Sequence, residues 1–402
     1  MIPHHRSTLE AFVLAAAAGL VLGLPLLSAA AAFLLVLGLA ADAMARRAYA
    51  GVEVTHALSR SAVPIDDEVE VWLGVANPER WPMPAVHFED VVPAGLEVAR
   101  PAPRGIQRVF HHSVVWDAFH VGPQERVRHH LRVTARHRGR WVLGPARVWS
   151  RDPLGWSLFE RHAAQQPVLT VYPRLYPVPT GLLTPSRPEG DRRGPPWQPP
   201  DPLRVVGVRP YEPGDPPRLI HPHATARTGV LQVKRLEPGG DSQVALLALA
   251  ATGAPKDAPD PDLFEALVSA AASVADQYLD AGAALGFSLV GAVYGRPRGV
   301  HLPPARGPTQ WARVMTALAW VSPGGGDDAD VKPAVGRLSR QLKPGDHLVC
   351  VTSFRPPSWT AAMRQLVQRG VQVTNVRVGP ACGAPDASGV RVRAWTPAPV
   401  AP

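Results

Sequence analysis

Cysteine is almost absent from this chain of 402 residues, which holds only Cys350 and Cys382. Two cysteines are too few for a disulfide framework, and neither belongs to a CxxC pair, which suits a reducing compartment. Lysine is also scarce, so the net charge of +9 comes almost entirely from arginine. These arginines are dispersed over every segment without an aromatic stripe or a reading-helix motif. This distribution argues against nucleic-acid binding.

The motifs of common catalytic and nucleotide-binding sites are missing as well. The chain has no GxxxxGK[ST] phosphate loop, no HExxH zinc motif and no GxSxG nucleophile turn. We therefore expect no cofactor, and we favour a protein that is not an enzyme.

A long apolar run, by contrast, is present, because residues 11–41 contain no charged side chain. A single helix over this run would measure about 46 Å, well beyond the roughly 30 Å hydrocarbon core of a bilayer. Gly23, Leu24 and Pro25 interrupt the run near its middle. The sequence therefore predicts a transmembrane helical hairpin with arms over residues 9–24 and 26–41.

Arginines flank both ends of this hairpin, with Arg6 before it and Arg46 and Arg47 after it. Because positive residues favour the cytoplasmic side, we expect both ends and the following body on the cytoplasmic face of the inner (plasma) membrane. A cleaved signal peptide is the alternative, with a cleavage site at residues 28–30. We favour the anchor because the apolar run continues for another ten residues beyond that site.

Two patterns of secondary structure follow the anchor, and together they predict an α+β multidomain fold. Residues 52–172 hold short alternating segments separated by turn residues, which predict a β-sandwich-like domain. From residue 243 onward, apolar strands alternate with helical segments, which predicts a doubly wound α/β domain with a parallel sheet. The predicted strands are 243–250, 287–294, 347–352 and 371–378, and the predicted helices are 262–281, 309–321, 330–342 and 359–369.

The predicted domain boundaries follow from these patterns and from a Pro-, Gly- and Arg-rich segment between them. They are 1–48 for the anchor, 49–175 for the β-sandwich-like domain, 176–203 for the linker, 204–240 for a motif segment, 241–380 for the α/β domain and 381–402 for a flexible tail.

The motif segment carries the most specific signal in the chain. It runs Arg209-Pro-Tyr211-Glu-Pro-Gly214-Asp215-Pro-Pro-Arg218-Leu-Ile220-His-Pro-His-Ala-Thr225-Ala-Arg227. This run resembles the central pattern of the domain-of-unknown-function 58 family, R-x-Y-x-x-G-D-x-x-R-x-I-D-W-x-x-S-A-R. Upstream segments at residues 136–144, 152–159 and 171–173 fit the same family, so the resemblance covers nearly the whole chain.

The resemblance implies an anchored cytoplasmic protein with a β-sandwich-like part and a von Willebrand A-like (integrin-type) α/β domain. It also implies a MoxR-type AAA+ ATPase as a partner, often together with a transglutaminase-like membrane protein. It implies no reaction, because no activity is established for the family as a whole.

The residue types of the motif favour docking or a structural role over catalysis. Gly214 permits a turn with positive φ, Asp215 is able to bond to nearby backbone amides, and the arginines are forked donors suited to carboxylates. Anion binding is the alternative. The predicted docking or binding residues are Arg209, Tyr211, Gly214, Asp215, Arg218 and Arg227.

The chain departs from the family pattern at two places. The family's I-D-W is Ile220-His221-Pro222 here, and His221 and His223 gain an HxH spacing without a further metal ligand nearby. In von Willebrand A-like domains the first strand ends in a D-x-S-x-S metal site, and the corresponding residues here are Ala248, Ala250 and Thr252. Since only Thr252 offers a side-chain oxygen, we expect this degenerate site to bind no metal.

The favoured function is that of a membrane-tethered, non-catalytic interaction or scaffold protein. It would work with a MoxR-type AAA+ ATPase in protein maturation or envelope-related assembly. The alternative is an enzyme that acts on a cell-envelope or protein substrate through Tyr211, Asp215 and Arg218, and an anion- or nucleic-acid-binding module is a third hypothesis. Open, convergent polar groups around Asp215 and Arg218 would favour the enzyme, whereas a closed ion pair would favour docking.

Overall fold

Two helices begin the computed structural model. The first, α1, spans Arg6–Val21 and the second, α2, spans Pro25–Ala50. Gly23 between them has a φ of 65°, and Pro25 occupies the first turn of α2, where proline costs no hydrogen bond. A Cβ atom at Gly19 would lie 2.8 Å from the backbone nitrogen of Ser28, so the two helices need glycine at this approach.

The structure describes most of the chain. The described residues are 6–99, 105–109, 112–151, 158–179, 182, 200–212, 215, 217–238, 243–253, 258–296, 299–323 and 328–397.

The two helices differ in their capacity to cross a membrane. Pro25–Met44 of α2 is long and apolar enough to span one, with a mean hydropathy of 2.1, whereas the apolar part of α1 is the shorter segment Glu10–Val21. Helix α2 also continues nine residues past its predicted end at residue 41. Asp42 and Arg46 stabilise this extension, because their side chains form an i,i+4 ion pair at 2.7 Å.

The chain divides into two compact units, residues 1–172 and 173–402. The strands of the first unit follow α2. They are β1 (Glu53–Leu58), β2 (Ala62–Pro64), β3 (Glu68–Ala76), β4 (Met83–Pro93), β5 (Leu96–Val98), β6 (Gly105–Val109), β7 (His112–Val121), β8 (Arg126–Ala135), β9 (Gly139–Val142), β10 (Arg147–Arg151), β11 (Leu158–His162) and β12 (Val168–Tyr172).

These strands form sheets in the orders β1-β3-β8-β5, β11-β10-β4-β7-β6 and β2-β12-β9. The first two sheets share one hydrophobic core, in which Val71 and Leu73 of β3 join Phe88 of β4 and Val115 of β7. Alternate residues of a strand point to opposite faces, so each sheet buries one face against the other. This is the packing of a β-sandwich.

The second unit contains the motif segment and the α/β region. Its elements are β13 (Pro200–Pro210), a 3₁₀ turn (Pro217–Leu219), α3 (Pro222–Thr228), β14 (Gln232–Pro238), β15 (Val244–Leu249), α4 (Pro261–Asp280), β16 (Leu285–Val290), β17 (Ala292–Val293), β18 (Val300–Ala305), α5 (Pro308–Ala319), β19 (Val321–Ser322), α6 (Asp328–Gln341), β20 (His347–Arg355), α7 (Trp359–Gln368), β21 (Gln372–Gly383) and β22 (Arg391–Ala394).

A six-stranded sheet in the order β18-β16-β15-β20-β21-β22 forms the centre of this unit. Strand β18 is antiparallel to its neighbour, and the other pairs are parallel. Leu247 and Leu249 of β15 pack with Val335 of α6 and Trp359 of α7 on one face. The alternate residues of β15 point to the other face, where α4 contacts β15 and packs against α5. Covering both faces explains why every residue of β15 is apolar and buried.

The structure differs from the predicted boundaries at both ends of this unit. The predicted flexible tail is wrong for residues 391–394, because β22 pairs in parallel with β21. Strand β13 begins at Pro200, inside the predicted linker. Residues 183–199 of that linker and residues 152–157 of the upstream family segment lie outside the described residues.

Candidate functional site

The predicted docking motif lies on a two-stranded arm at the start of the second unit. We call β13, α3 and β14, with the segments between them, the motif arm. Strands β13 and β14 pair antiparallel, with Arg209 opposite Val233, and the chain between them forms the 3₁₀ turn and α3. Ile220 forms an isolated bridge to Val233, and the amide of His221 donates to the carbonyl of Gln232. These bonds hold the helical segment against β14.

Arg209 and Asp215 form a two-pronged ion pair within this arm. Nη1 of Arg209 donates to Oδ2 of Asp215 at 2.7 Å, and Nη2 donates to Oδ1 at 2.6 Å. The amide of Glu212 also donates to Oδ2 at 3.0 Å. Both carboxylate oxygens of Asp215 therefore accept hydrogen bonds from the arm itself. The planar guanidinium of Arg209 holds this carboxylate in a fixed orientation.

This pairing sets the protonation behaviour of Asp215. The guanidinium of Arg209, and then the amide of Glu212, lower the pKa of Asp215 below its ordinary value. The carboxylate in turn raises the pKa of Arg209. A general acid or base works best with a pKa near the operating pH, so this shift runs in the wrong direction for such a role. The arrangement is the closed ion pair that favours docking or structural support.

His221 replaces the family's aspartate and acts as the N-cap of α3. Its Nδ1 accepts a hydrogen bond from the amide of Ala224 at 3.1 Å, as an aspartate oxygen would do at this position. Pro222, in place of the family's tryptophan, occupies the first turn of the helix. Nδ1 of His221 therefore serves the local structure, as an acceptor for the backbone of α3.

We expect His221→Ala to destabilise α3 by about 1 kcal/mol, because the amide of Ala224 then loses its cap. His221→Asp should preserve the cap and leave the stability close to that of the original chain. Hydrogen exchange at the amide of Ala224 measures the difference, with His223→Ala as the control. Equal exchange in the His221→Ala and His223→Ala variants would contradict the capping role.

The remaining predicted motif residues take separate positions. The amide of Tyr211 donates to the carbonyl of Leu231 at 2.8 Å and extends the ladder of the arm. Arg227 is exposed in the last turn of α3, where a cation favours the helix dipole. Gly214 lies outside the described residues. The backbone of Arg218 lies in the 3₁₀ turn, and its side chain lies outside the described part of the structure. The structure thus brings Arg209 and Asp215 together and places Arg227 on the helix.

The position of the predicted degenerate metal site is occupied by ordinary packing and helix capping. Ala248 and Ala250 are fully buried at the end of β15. The hydroxyl oxygen of Thr252 accepts from the amide of Asp260 at 3.1 Å, and Asp260 itself caps α4. Among the described residues, no group of three or more His, Cys, Asp and Glu side chains is placed to hold a metal ion.

A polar network that the sequence did not predict lies where the carboxyl-terminal half of β20 meets Asn375 of β21. Oδ2 of Asp386 accepts from Nη1 of Arg355 at 2.9 Å, and Oδ1 accepts from Asn375 at 2.7 Å and from the indole of Trp359 at 3.2 Å. Thr352 donates to Asn375 at 2.9 Å. The members are polar, largely buried and bonded to one another, although Nε of Arg355 has no partner among the described residues. We interpret the network as a structural clamp.

Comparisons with solved structures show only weak likenesses. A Salmonella alpha-2-macroglobulin mutant is 18% identical over 30% of this chain and 9% of its own, with a TM-score of 0.25. A type II cohesin domain from the cellulosome of Acetivibrio cellulolyticus is 9% identical over 29% of this chain and 94% of its own, with a TM-score of 0.23. A non-cellulosomal cohesin from Archaeoglobus fulgidus is 13% identical over 30% and 91%, with a TM-score of 0.21. TM-scores this low carry no argument about fold or function.

The family comparison gives a clearer result. No curated protein matches the chain. Residues 207–381, however, match the model of the family described as Protein of unknown function DUF58. This range contains the Arg209–Asp215 ion pair, the cap of α3 and the α/β sheet apart from β22 and the last two residues of β21. The second unit of the chain is therefore similar to the DUF58 family over this segment.

Proposed function

We propose that this protein is a membrane-tethered, non-catalytic scaffold that docks a partner protein through the motif arm. The observation that carries the proposal is that the polar side chains of the motif form hydrogen bonds within the arm. Asp215, His221 and Thr225 all bond to groups of the arm itself. Polar side chains that are engaged in this way stabilise a shape, and a stable shape is what a docking surface requires.

The side chains that the arm exposes also suit protein docking. Val208, Val230 and Leu231 are 45%, 58% and 47% exposed. Val208 precedes Arg209 in β13, and the carbonyl of Leu231 accepts from the amide of Tyr211 across the arm. Apolar side chains beside a structurally fixed ion pair give an interface both a desolvated centre and a polar rim. The proposed partner is a MoxR-type AAA+ ATPase, as the family resemblance implies, and a transglutaminase-like membrane protein is a proposed further member of the assembly.

The proposed anchor consists of α1 and α2 as a transmembrane hairpin, with the body on the cytoplasmic face of the inner membrane. The apolar segment Pro25–Met44 supports this proposal, and so do Arg46 and Arg47 immediately beyond it. For the α/β unit we propose a von Willebrand A-like fold without a metal site. Its support is the doubly wound strand order with one antiparallel edge strand and the alanines at residues 248 and 250.

Affinity capture from solubilised membranes tests the proposed docking. We expect a tagged full-length chain to retain an AAA+ ATPase, identified by mass spectrometry, in the presence of a non-hydrolysable ATP analogue. The variants Val208→Asp and Leu231→Asp should each reduce this retention about tenfold, because a charge replaces an apolar contact at the interface.

Trp116→Asp is the matched control, since Trp116 is 48% exposed but lies in the first unit. It should retain the ATPase as the original chain does. Absence of any AAA+ ATPase in every nucleotide state, or equal losses in the control and the arm variants, would contradict the proposed docking.

A further inference from the structure

A cavity lies in the first unit where the last turns of α2 meet the β-sandwich. Its volume is about 330 Å³, within the range of small-molecule sites. Tyr49 of α2 forms one wall together with Met83 of β4, Val148 of β10 and Phe159 of β11. Neither the motif nor the α/β sheet contributes to it. The cavity is therefore separate from the proposed docking surface.

Tyr49 is held in the apolar wall of the cavity by ring stacking and by a hydrogen bond. The ring of Tyr49 is 8% exposed and stacks on Phe159, with 4.8 Å between ring centroids and 9° between planes. The phenol hydroxyl donates to the hydroxyl of Ser150, which in turn donates to the carbonyl of Ala85 at 2.5 Å. Because the polar end of Tyr49 is engaged, its ring presents an apolar surface to the cavity.

Two arginines give the cavity its charge. Arg46 and Arg161 both line it, and both are exposed to solvent. Nη2 of Arg161 lies 3.5 Å from the carbonyl oxygen of Tyr49, and Nε of Arg46 bonds to Asp42 at 2.7 Å. Glu160 also lines the cavity, and it shares the guanidinium of Arg147, at 3.3 Å, with Glu89 at 2.6 Å. The cavity therefore combines an apolar wall with the guanidinium groups of Arg161 and of Arg46, which is paired with Asp42, and with the carboxylate of Glu160.

The position of the cavity along α2 places it at the level of lipid headgroups. The apolar segment of α2 ends at Met44. With a rise of about 1.5 Å per residue, Arg46 lies about 3 Å and Tyr49 about 8 Å farther along the helix axis. The interfacial layer on each side of the hydrocarbon core is only about 5–8 Å thick. Aromatic and arginine side chains are enriched at this depth.

We infer that this cavity binds one anionic glycerophospholipid, with its phosphate between Arg46 and Arg161 and its first acyl carbons against Tyr49, Met83 and Phe159. The inference rests on the proposed anchorage of α2. Guanidinium groups are suited to phosphate because of their forked donors. A bound lipid would fix the body to the end of the membrane helix and make its attachment depend on the lipid composition.

Native mass spectrometry of the full-length protein tests this inference. The delipidated protein is titrated in non-ionic detergent with palmitoyl-oleoyl phosphatidylglycerol and, separately, with the phosphatidylcholine of the same chains. We expect one phosphatidylglycerol to be retained in preference to phosphatidylcholine. The double variant Arg46→Gln/Arg161→Gln should weaken phosphatidylglycerol binding about 30-fold, the ratio that matches roughly 1 kcal/mol for each basic residue. Binding of phosphatidylcholine should not change.

Arg60→Gln/Arg132→Gln is the matched control, because these arginines are 52% and 66% exposed in the same unit but lie away from the cavity walls. Val52→Phe, which fills part of the cavity, should weaken binding without changing the charge, and its thermal unfolding verifies that it folds. Equal retention of both lipids, equal losses in the control, or full competition by inorganic phosphate would overturn the inference.

Flotation of the original chain with phosphatidylcholine vesicles tests the membrane anchor separately from the lipid site. If the chain floats but shows no preference for phosphatidylglycerol, the anchor stands and the lipid site is wrong. If the chain does not float, the anchorage is wrong, and the lipid site is wrong with it.

Discussion

Asp386→Ala is expected to lower the free energy of unfolding of the second unit by about 3–5 kcal/mol, because it leaves a buried guanidinium without its counter-ion. The side chain of Arg355 is only 4% exposed and that of Asp386 is 12% exposed. Removal of the carboxylate also takes away the acceptor for Asn375 and for the indole of Trp359. The substitution therefore leaves donors of three residues, Arg355, Asn375 and Trp359, without this acceptor.

The buried thiol of Cys350 is a convenient probe for this experiment, since it lies in β20 and is fully buried. In a Cys382→Ser background, the urea concentration at which Cys350 reacts with a thiol reagent reports unfolding of the sheet. Lys332→Ala serves as the control, because Lys332 is 63% exposed and its ion pair with Asp328 should contribute less than about 1 kcal/mol.

A second variant separates the buried charge from the other consequences of losing Asp386. Arg355→Met combined with Asp386→Ala should be less destabilised than Asp386→Ala alone, because no guanidinium then remains buried without a partner. If the single and double variants unfold at the same urea concentration, the ion pair is not what stabilises this end of the sheet.

The stability of the second unit should fall by about 3 kcal/mol as the pH decreases from 6.5 to 4, through His347 alone. Burial, and then the positive charge of Arg391, lower the pKa of His347 from 6.5 to about 4. Above pH 6.5 the imidazole is neutral in both states, so it adds no pH dependence. Below that pH the unfolded chain takes up a proton that the folded protein does not bind, and the difference accumulates until the folded protein also binds it near pH 4.

The surroundings of His347 explain why it stays neutral. It is 6% exposed at the start of β20, and its ring nitrogens lie 3.2 Å from the hydroxyl of Tyr278 and 2.9 Å from that of Thr374. Neither neighbour is a carboxylate that would stabilise an imidazolium. Urea unfolding followed by circular dichroism between pH 4 and about 7 measures the effect.

His347→Gln should remove this part of the pH dependence, because glutamine carries no titrating group but still offers hydrogen bonds. His223→Gln is the control, since His223 is exposed on α3. A pH profile for His347→Gln that is as steep as that of the original chain would show that other groups cause the acid sensitivity.

The central elements of the α/β unit were predictable because their residue patterns are local. The apolar strand at residues 244–249 and the amphipathic helix at residues 261–280 each show their period within a single segment. Strand β18 escaped prediction because Pro303 and Pro304 argue against a strand, although an edge strand tolerates proline. Strand β22 escaped because arginine alternates with small apolar residues and only pairing with β21 identifies it.

In the candidate site, too, only the features encoded within one short segment were predictable. The motif pointed to Arg209 and Asp215, which lie six residues apart and do form an ion pair. The capping role of His221 was missed because histidine rarely replaces aspartate as an N-cap. The network around Asp386 and the cavity at Tyr49 were missed for a different reason. Their members come from distant segments, such as residues 49 and 159, and no local pattern brings such residues together.

The two edge strands of the central sheet restrict how this unit meets other chains. An unprotected edge offers a row of unpaired backbone groups to any extended peptide. Strand β18 carries two prolines, which lack the donor that such pairing needs, and β22 carries Arg391 and Arg393, whose charges oppose stacking of a further strand. The sheet is therefore protected against edge-to-edge aggregation. Addition of a strand to this sheet is therefore disfavoured, which leaves the helices and the motif arm as the more accessible surfaces of the unit.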